Sequence, residues 1–212
     1  MYAINRKRYP EHPWLTEESI RLLDQWLRPS DIGVEWGAGN STRWFAQRTK
    51  HLTSFETNPD YVPVVQHTLD EQRLNNVALN YLPFERTPDE NDYHQSEWLH
   101  RARALPADAF DYALIDSAPR HCLCLIAARK LRNGGVLILD NANWYTPPPR
   151  NVSPFAPSSV TVPLGDPASK EPNNQCWPEF ERRTKSWRRI WTTDGVTMTL
   201  ILFKGLFVEG SG

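Results

Sequence analysis

Glu35 and Glu56 stand 21 residues apart, the first inside the run VEWGAGNST and the second inside SFET. Between them, Gly37 and Gly39 form a turn where the missing Cβ lets backbone N–H groups approach a ligand closely. A dinucleotide fingerprint requires GxGxxG, and Thr42 stands where the third glycine belongs. A carboxylate at Glu35 repels a pyrophosphate but suits a positively charged amino group. An acid ending the next strand, as Glu56 would, can accept both hydroxyls of a ribose. A ligand that joins an amino acid to a ribose satisfies both, and S-adenosylmethionine is that ligand.

A second set of polar residues follows later apolar runs: Asp116 after DYALI, and Asp140-Asn141 after VLIL. In open parallel sheets the ligand lies outside the carboxyl ends of the strands, so these residues are expected to face the transferred methyl group. Methyl transfer from a sulfonium is an in-line displacement, and a hydroxyl acceptor must also lose a proton. Asp116, Asp140 and Asn141 offer the oxygen donors that Mg²⁺ or Ca²⁺ prefers, and a bound cation would lower the pKa of such a hydroxyl. The other reading is that Asp116 positions cofactor or substrate while Asp140 and Asn141 hydrogen-bond their loop. General-base duty, if a side chain carries it, falls to His121, or to His94 or His100. Trp98, Trp144 and Tyr145 lie beside irregular stretches and could wall in a planar acceptor or a sugar face.

The elements that must position these residues are short and alternate. Trp14 to Leu27 has helical apolar spacing behind Thr16 as N-cap, with Pro29 as a stop. IGVEW, LTSFE, VALNYL, DYALID and VLILD read as strands; STRWFAQRT, DYVPVVQHTLDEQRL and CLCLIAARKLR read as the helices between them, the last closed by Gly134 and Gly135. Residues 83–106, with a helix at SEWLHRARAL, and the proline-rich 142–178 interrupt this rhythm and are expected to form a substrate lid. WPEFERRTKSW is a short helix, and RRIWTT and VTMTLILF are strands joined at Asp194-Gly195, a hairpin turn signal.

Taken in order, VEWGAGNSTRWFA, SFET and FDYALIDSAPRHCLCLIAARKLRNGGVLILDN resemble the class I S-adenosylmethionine-dependent methyltransferases. The resemblance implies a Rossmann-like α/β fold: a seven-stranded, mostly parallel sheet with helices on both faces and an antiparallel C-terminal hairpin. It places Glu35, Gly37, Gly39, Asn40 and Ser41 around the methionine end of the cofactor, Glu56 on the ribose, and Phe84 and Glu85 near the adenine, with Asp116 at the methyl end. Asp116, Asp140 and Asn141 are similar to the metal ligands of the catechol and caffeoyl-coenzyme A O-methyltransferases. The chain departs from that pattern in the shorter interval, 24 residues from Asp116 to Asp140, and in Pro119, which stands where those enzymes place a lysine.

One domain over 1–212, with a leading helical segment at 1–30, suits the length. Lys+Arg 24 against Asp+Glu 25 leaves a net charge of −1, so no global field draws the protein to nucleic acid or anionic membrane. DSAP follows the fourth strand where DNA amino-methyltransferases carry an NPPY-like tetrad, which further disfavours nucleic acid. Arg182, Arg183, Lys185, Arg188 and Arg189 read first as a solvated face. No apolar run is long enough to span a bilayer, and Cys122, Cys124 and Cys176 lack the CxxC spacing of a metal site and are odd in number, so reduced thiols in a cytoplasmic protein are expected. The expectation is an enzyme methylating a hydroxyl of a small molecule, with a homodimer left open. A metal-independent methyltransferase acting on nitrogen or carboxylate, a non-catalytic cofactor-binding module and, last, an NAD-dependent oxidoreductase remain as alternatives.

Overall fold

A computed structural model describes residues 11–83, 96–145 and 176–205. Its elements in chain order are α1 (Glu17–Trp26), β1 (Ile32–Trp36), α2 (Asn40–Ala46), β2 (His51–Glu56), α3 (Val62–Glu71), β3 (Val77–Tyr81), α4 (Glu97–Ala104), β4 (Phe110–Ile115), α5 (Arg120–Lys130), β5 (Leu131–Leu139), a 3-10 turn (Ala142–Trp144), α6 (Cys176–Arg183), β6 (Arg188–Thr193) and β7 (Met198–Phe203). The strands make one sheet in the order β3-β2-β1-β4-β5-β7-β6. Strands β1 to β5 pair in parallel, while β7 runs antiparallel to both β5 and β6. This is the seven-stranded Rossmann-like architecture expected from the sequence.

Side chains alternate across a strand, so each strand feeds two cores. Val34, Trp36, Ala113, Ile115, Leu137, Leu139, Leu200 and Leu202 pack on one face with α4, α5 and α6. Tyr112, Leu114, Val136, Ile138 and Ile201 pack on the other with α1 and α2. The helix α5 is apolar nearly all round, as suits a helix covered by α4 and α6 as well as by the sheet. On the second face Gly33 sits opposite Tyr112, and a Cβ at Gly33 would lie 1.9 Å from the tyrosine ring. The ring fills that space, stacks on Phe45 at 4.6 Å, and shares a 3.0 Å hydrogen bond with Thr49. Burial of such a ring contributes roughly 1.5–3 kcal/mol.

Three local expectations change. Gly134 and Gly135 do not close the preceding helix; they lie within β5, where Gly134 adopts φ +81 and its N–H donates to the Lys204 carbonyl. Trp98 is no pocket wall: α4 carries it inward, fully buried, edge-on to Phe55. Thr16 occupies the N-cap position of α1, yet its hydroxyl makes no cap bond and pairs instead with the hydroxyl of Thr192 on β6. The predicted lid over 142–178 falls largely outside the described residues. Among the described residues, no helix is long and apolar enough to cross a membrane.

Candidate functional site

Chain connections leave β1 and β4 toward opposite faces of the sheet, so a crevice opens where these two strands diverge. The carboxyl ends of β1, β2 and β4 border a cavity of about 590 Å³ there. Gly37 forms its floor. With φ +104 it donates its N–H to the Phe55 carbonyl, and a Cβ at this position would lie 2.8 Å from the backbone oxygen of Asp116. The glycine is therefore required by the close approach of the turn to the end of β4. Gly39 is extended, and a Cβ there would face the Tyr61 hydroxyl at 3.6 Å, inside the cavity wall.

The two glutamates have different surroundings. Glu56 lines the cavity; its Oε2 accepts from the Ala38 N–H at 3.0 Å, and its Oε1 accepts from the Thr57 and Asn58 N–H groups at 2.8 and 2.7 Å. A carboxylate offers about four acceptor sites, so Oε2 retains capacity for a further donor. Glu35 points the other way, into the second core, wholly buried and absent from the cavity wall. Its Oε1 accepts from the Ser54 hydroxyl at 2.6 Å and from the Thr42 hydroxyl, whose oxygen in turn accepts the Gly39 N–H at 2.9 Å. Thr42, in the place of a third glycine, thus ties the turn to Glu35. Burial pushes the Glu35 carboxyl up to about 7, against the hydrogen bonds of Ser54, Thr42 and Ser41. The direct ligand contact expected of Glu35 is corrected to a brace beneath the turn, while Asn40 and Ser41 do line the cavity.

Asp116 lies in the opposite wall. Its Oδ1 accepts from Arg120 Nη2 at 2.5 Å, one helical turn along at the start of α5. Burial raises the Asp116 carboxyl, and the Arg120 charge and a hydrogen bond with Asp140 pull it back down. Asp140 is almost fully enclosed, and burial followed by the Asp116 charge holds its carboxyl well above the usual range. Its Oδ2 accepts from the Asn141 amide at 2.5 Å and its Oδ1 from the Thr199 hydroxyl at 3.3 Å.

The three proposed metal ligands do converge, but not as a cation site. A guanidinium already neutralises Asp116, and Asn141 turns a donor rather than an oxygen toward Asp140. These residues do not fit Mg²⁺ or Ca²⁺ in this arrangement; among the described residues no group of three or more His, Cys, Asp or Glu side chains could hold a metal ion. His121 is buried on α5 and does not line the cavity, and His100 is exposed on α4 beside Glu97, so neither is placed to act as a base there. Tyr145 packs its ring against Trp177 at 5.7 Å and stands near Arg120, without itself lining the described cavity. Phe84, Glu85, His94 and the Trp144 side chain lie outside the described residues.

Trp14, Tyr61 and Arg120 are cavity residues that sequence reasoning missed. Arg120 had a signal, a cation four residues after Asp116. Trp14 had none locally: it is placed by Thr16, whose N–H donates to Thr199 Oγ1 at 3.3 Å and whose hydroxyl meets Thr192. Trp14 thereby stands 54% exposed at the cavity.

No family model matches the chain. Among solved structures it is similar to a methyltransferase from Geobacter sulfurreducens, with TM-score 0.55 and 17% identity over 95% of this chain and 85% of that one. It is also similar to precorrin 8W decarboxylase from Methanobacterium thermoautotrophicum, with TM-score 0.52 and 16% identity over 93% of this chain and 95% of that one. The chain has the class I methyltransferase fold. Among curated proteins, it is 40% identical over 73 residues to a probable cobalt-precorrin-6B C(15)-methyltransferase (decarboxylating) of Methanobrevibacter smithii. That match takes in 32% of this chain and 39% of the relative, so the chain spans well under half of that protein's length. In open parallel sheets ligands bind in the crevice at this change of chain direction, and Gly37, Gly39, Glu56 and Asp116 all meet there.

Proposed function

We propose that this protein binds S-adenosylmethionine in the β1–β4 crevice and transfers its methyl group to a small-molecule acceptor. The observation that carries this reading is the Glu56 carboxylate, fixed by three backbone N–H groups at the cavity with acceptor capacity left on Oε2. When bound, the cofactor supplies an electrophilic methyl group on a sulfonium. Glu56 accepts the ribose hydroxyls, the missing Cβ of Gly39 leaves the cavity side of the turn clear beside Tyr61, and the Glu56 carboxylate, with no cation paired to it among the described contacts, favours a positively charged ligand.

The preferred acceptor is a hydroxyl. Asp116, at the end of β4, is the carboxylate placed to hold the proton that this hydroxyl loses, with Arg120 keeping it oriented. No step is assigned to a metal ion. A carbon acceptor is the second reading, favoured by the sequence match to the probable C(15)-methyltransferase, whose name specifies methylation at carbon. Calorimetry with S-adenosylhomocysteine, then incubation with methyl-labelled S-adenosylmethionine and panels of phenols, sugars and tetrapyrroles, tests both. Micromolar binding and label on an oxygen are expected; label on carbon selects the second reading, and absence of binding overturns both.

A further inference from the structure

A second cavity, of about 250 Å³, lies on the α4–α5–α6 side of the sheet. It is lined by Cys122, Leu125, Arg129 and Lys130 of α5, Arg103 of α4, and Cys176, the first residue of α6. The Sγ atoms of Cys122 and Cys176 are 2.7 Å apart across 54 residues of chain. That is a close contact between two free thiols, longer than the covalent S–S bond of about 2.05 Å. Cys124, the third cysteine, does not line this cavity; it is wholly buried, and burial pushes its thiol up, away from reactivity.

We propose that Cys122 and Cys176 are a disulfide-forming pair, and that the cavity beside them receives one end of a small anionic disulfide of the oxidised-glutathione class as oxidant. Two features of the site carry the assignment. The thiols are already in contact, so bond formation needs little backbone movement, and both residues line the cavity although each is buried. Arg103, Arg129 and Lys130 place three cations around that approach, which favours an oxidant bearing carboxylates.

The exchange balances in two steps. The Cys176 thiolate, from the more exposed of the two residues, attacks one sulfur of the small disulfide; the S–S bond of the oxidant breaks, one small thiol leaves, and a mixed disulfide remains. The Cys122 thiolate then attacks the Cys176 sulfur, the Cys122–Cys176 bond forms, and the second small thiol leaves. The pair gives up two electrons and two protons, and the oxidant takes both. The bond ties the start of α6 to the first turn of α5, the turn that also carries Arg120.

The test uses the full chain and oxidised glutathione. The expected result is a fall from three titratable thiols to one, an intact mass lower by two hydrogens, a non-reducing peptide map joining the Cys122 and Cys176 peptides, and reversal by dithiothreitol. Cys176→Ser should abolish the link. Because the map assigns the link in the unaltered chain, the result does not depend on the variant folding. Retention of all three thiols, glutathionyl adducts without an internal link, or a link through Cys124 would overturn the proposal.

Discussion

The two walls of the β1–β4 crevice hold their carboxylates by different means. On the β1–β2 side Glu56 is held by backbone, three N–H groups from residues adjacent to it or to the glycine turn. On the β4–β5 side Asp116 and Asp140 are held chiefly by side chains, those of Arg120, Asn141 and Thr199, with one backbone N–H of Asn141 on Asp140. Backbone donors are available whatever the side chains are, so on the proposed reading the first wall suits a ligand common to the fold. A wall built from side chains changes with each substitution and, on the same proposed reading, suits the more variable acceptor.

The two walls touch at Gly37, and the largest expected effect is there. Gly37→Ala forces a Cβ toward the Asp116 carbonyl and an unfavourable positive φ, which should cost about 3 kcal/mol. Thermal unfolding should show a midpoint lower by about 6–12 °C, with cofactor and acceptor binding both weakened. A variant that loses only one of the two would show that the walls are mechanically separate.

Glu35 gives the next effect. Burial pushes its folded carboxyl up to about 7, from the ordinary 4.5. A raised pKa means that the folded state holds the proton more tightly, so the stabilisation is fully present below 4.5 and is lost as pH rises through 7. For a fully buried group this is a loss of about 3 kcal/mol in the ligand-free protein between pH 4.5 and 8. Chemical denaturation across that range should show the decline, and Glu35→Gln should remove most of it. An unchanged slope in the variant would assign the pH dependence to other groups and leave Glu35 a simple brace.

The same contrast explains what the sequence disclosed. The β1–β2 wall is written locally: Gly37 and Gly39 sit two apart and Glu56 ends the next strand, so motif and spacing reach it. Glu35 misled because the pleat sends residue 35 to the opposite face from Val34 and Trp36, a fact that periodicity contains but a motif match conceals. The β4–β5 wall depends on contacts between distant segments. Thr199 reaches Asp140 across 59 residues, and Thr16 reaches Thr199 across 183. No local pattern encodes those meetings, so Asp116, Asp140 and Asn141 read as a bare oxygen set and the guanidinium among them went unnoticed. Trp98 erred similarly, since an exposed and a buried helix face look alike until α4 is docked.

For the backbone-held wall, Glu56→Ala should weaken S-adenosylhomocysteine binding about 100-fold, equivalent to about 2.7 kcal/mol, in calorimetry on protein shown to be folded by circular dichroism. Affinity within a factor of three of the parent chain would remove Glu56 from the ribose and end the comparison as drawn. Turnover at saturating cofactor should recover part of the loss.

The smallest effect belongs to the other partner. Trp14 lies in the segment that leads into α1, two residues before Thr16, and more than half of its surface is open beside the cavity. With more than half of its surface open, the indole buries little area in the fold, so Trp14→Ala should lower the unfolding midpoint only slightly and leave S-adenosylhomocysteine affinity nearly unchanged. If the acceptor packs on that ring, its KM should rise about tenfold, the equivalent of about 1.4 kcal/mol, with kcat conserved. Trp14→Phe, which keeps a flat apolar face, should recover most of the difference. A fall in cofactor affinity instead, with acceptor KM unchanged, would move Trp14 to the donor side and make the N-terminal segment part of the cofactor wall, joining the two halves that the carboxylates divide.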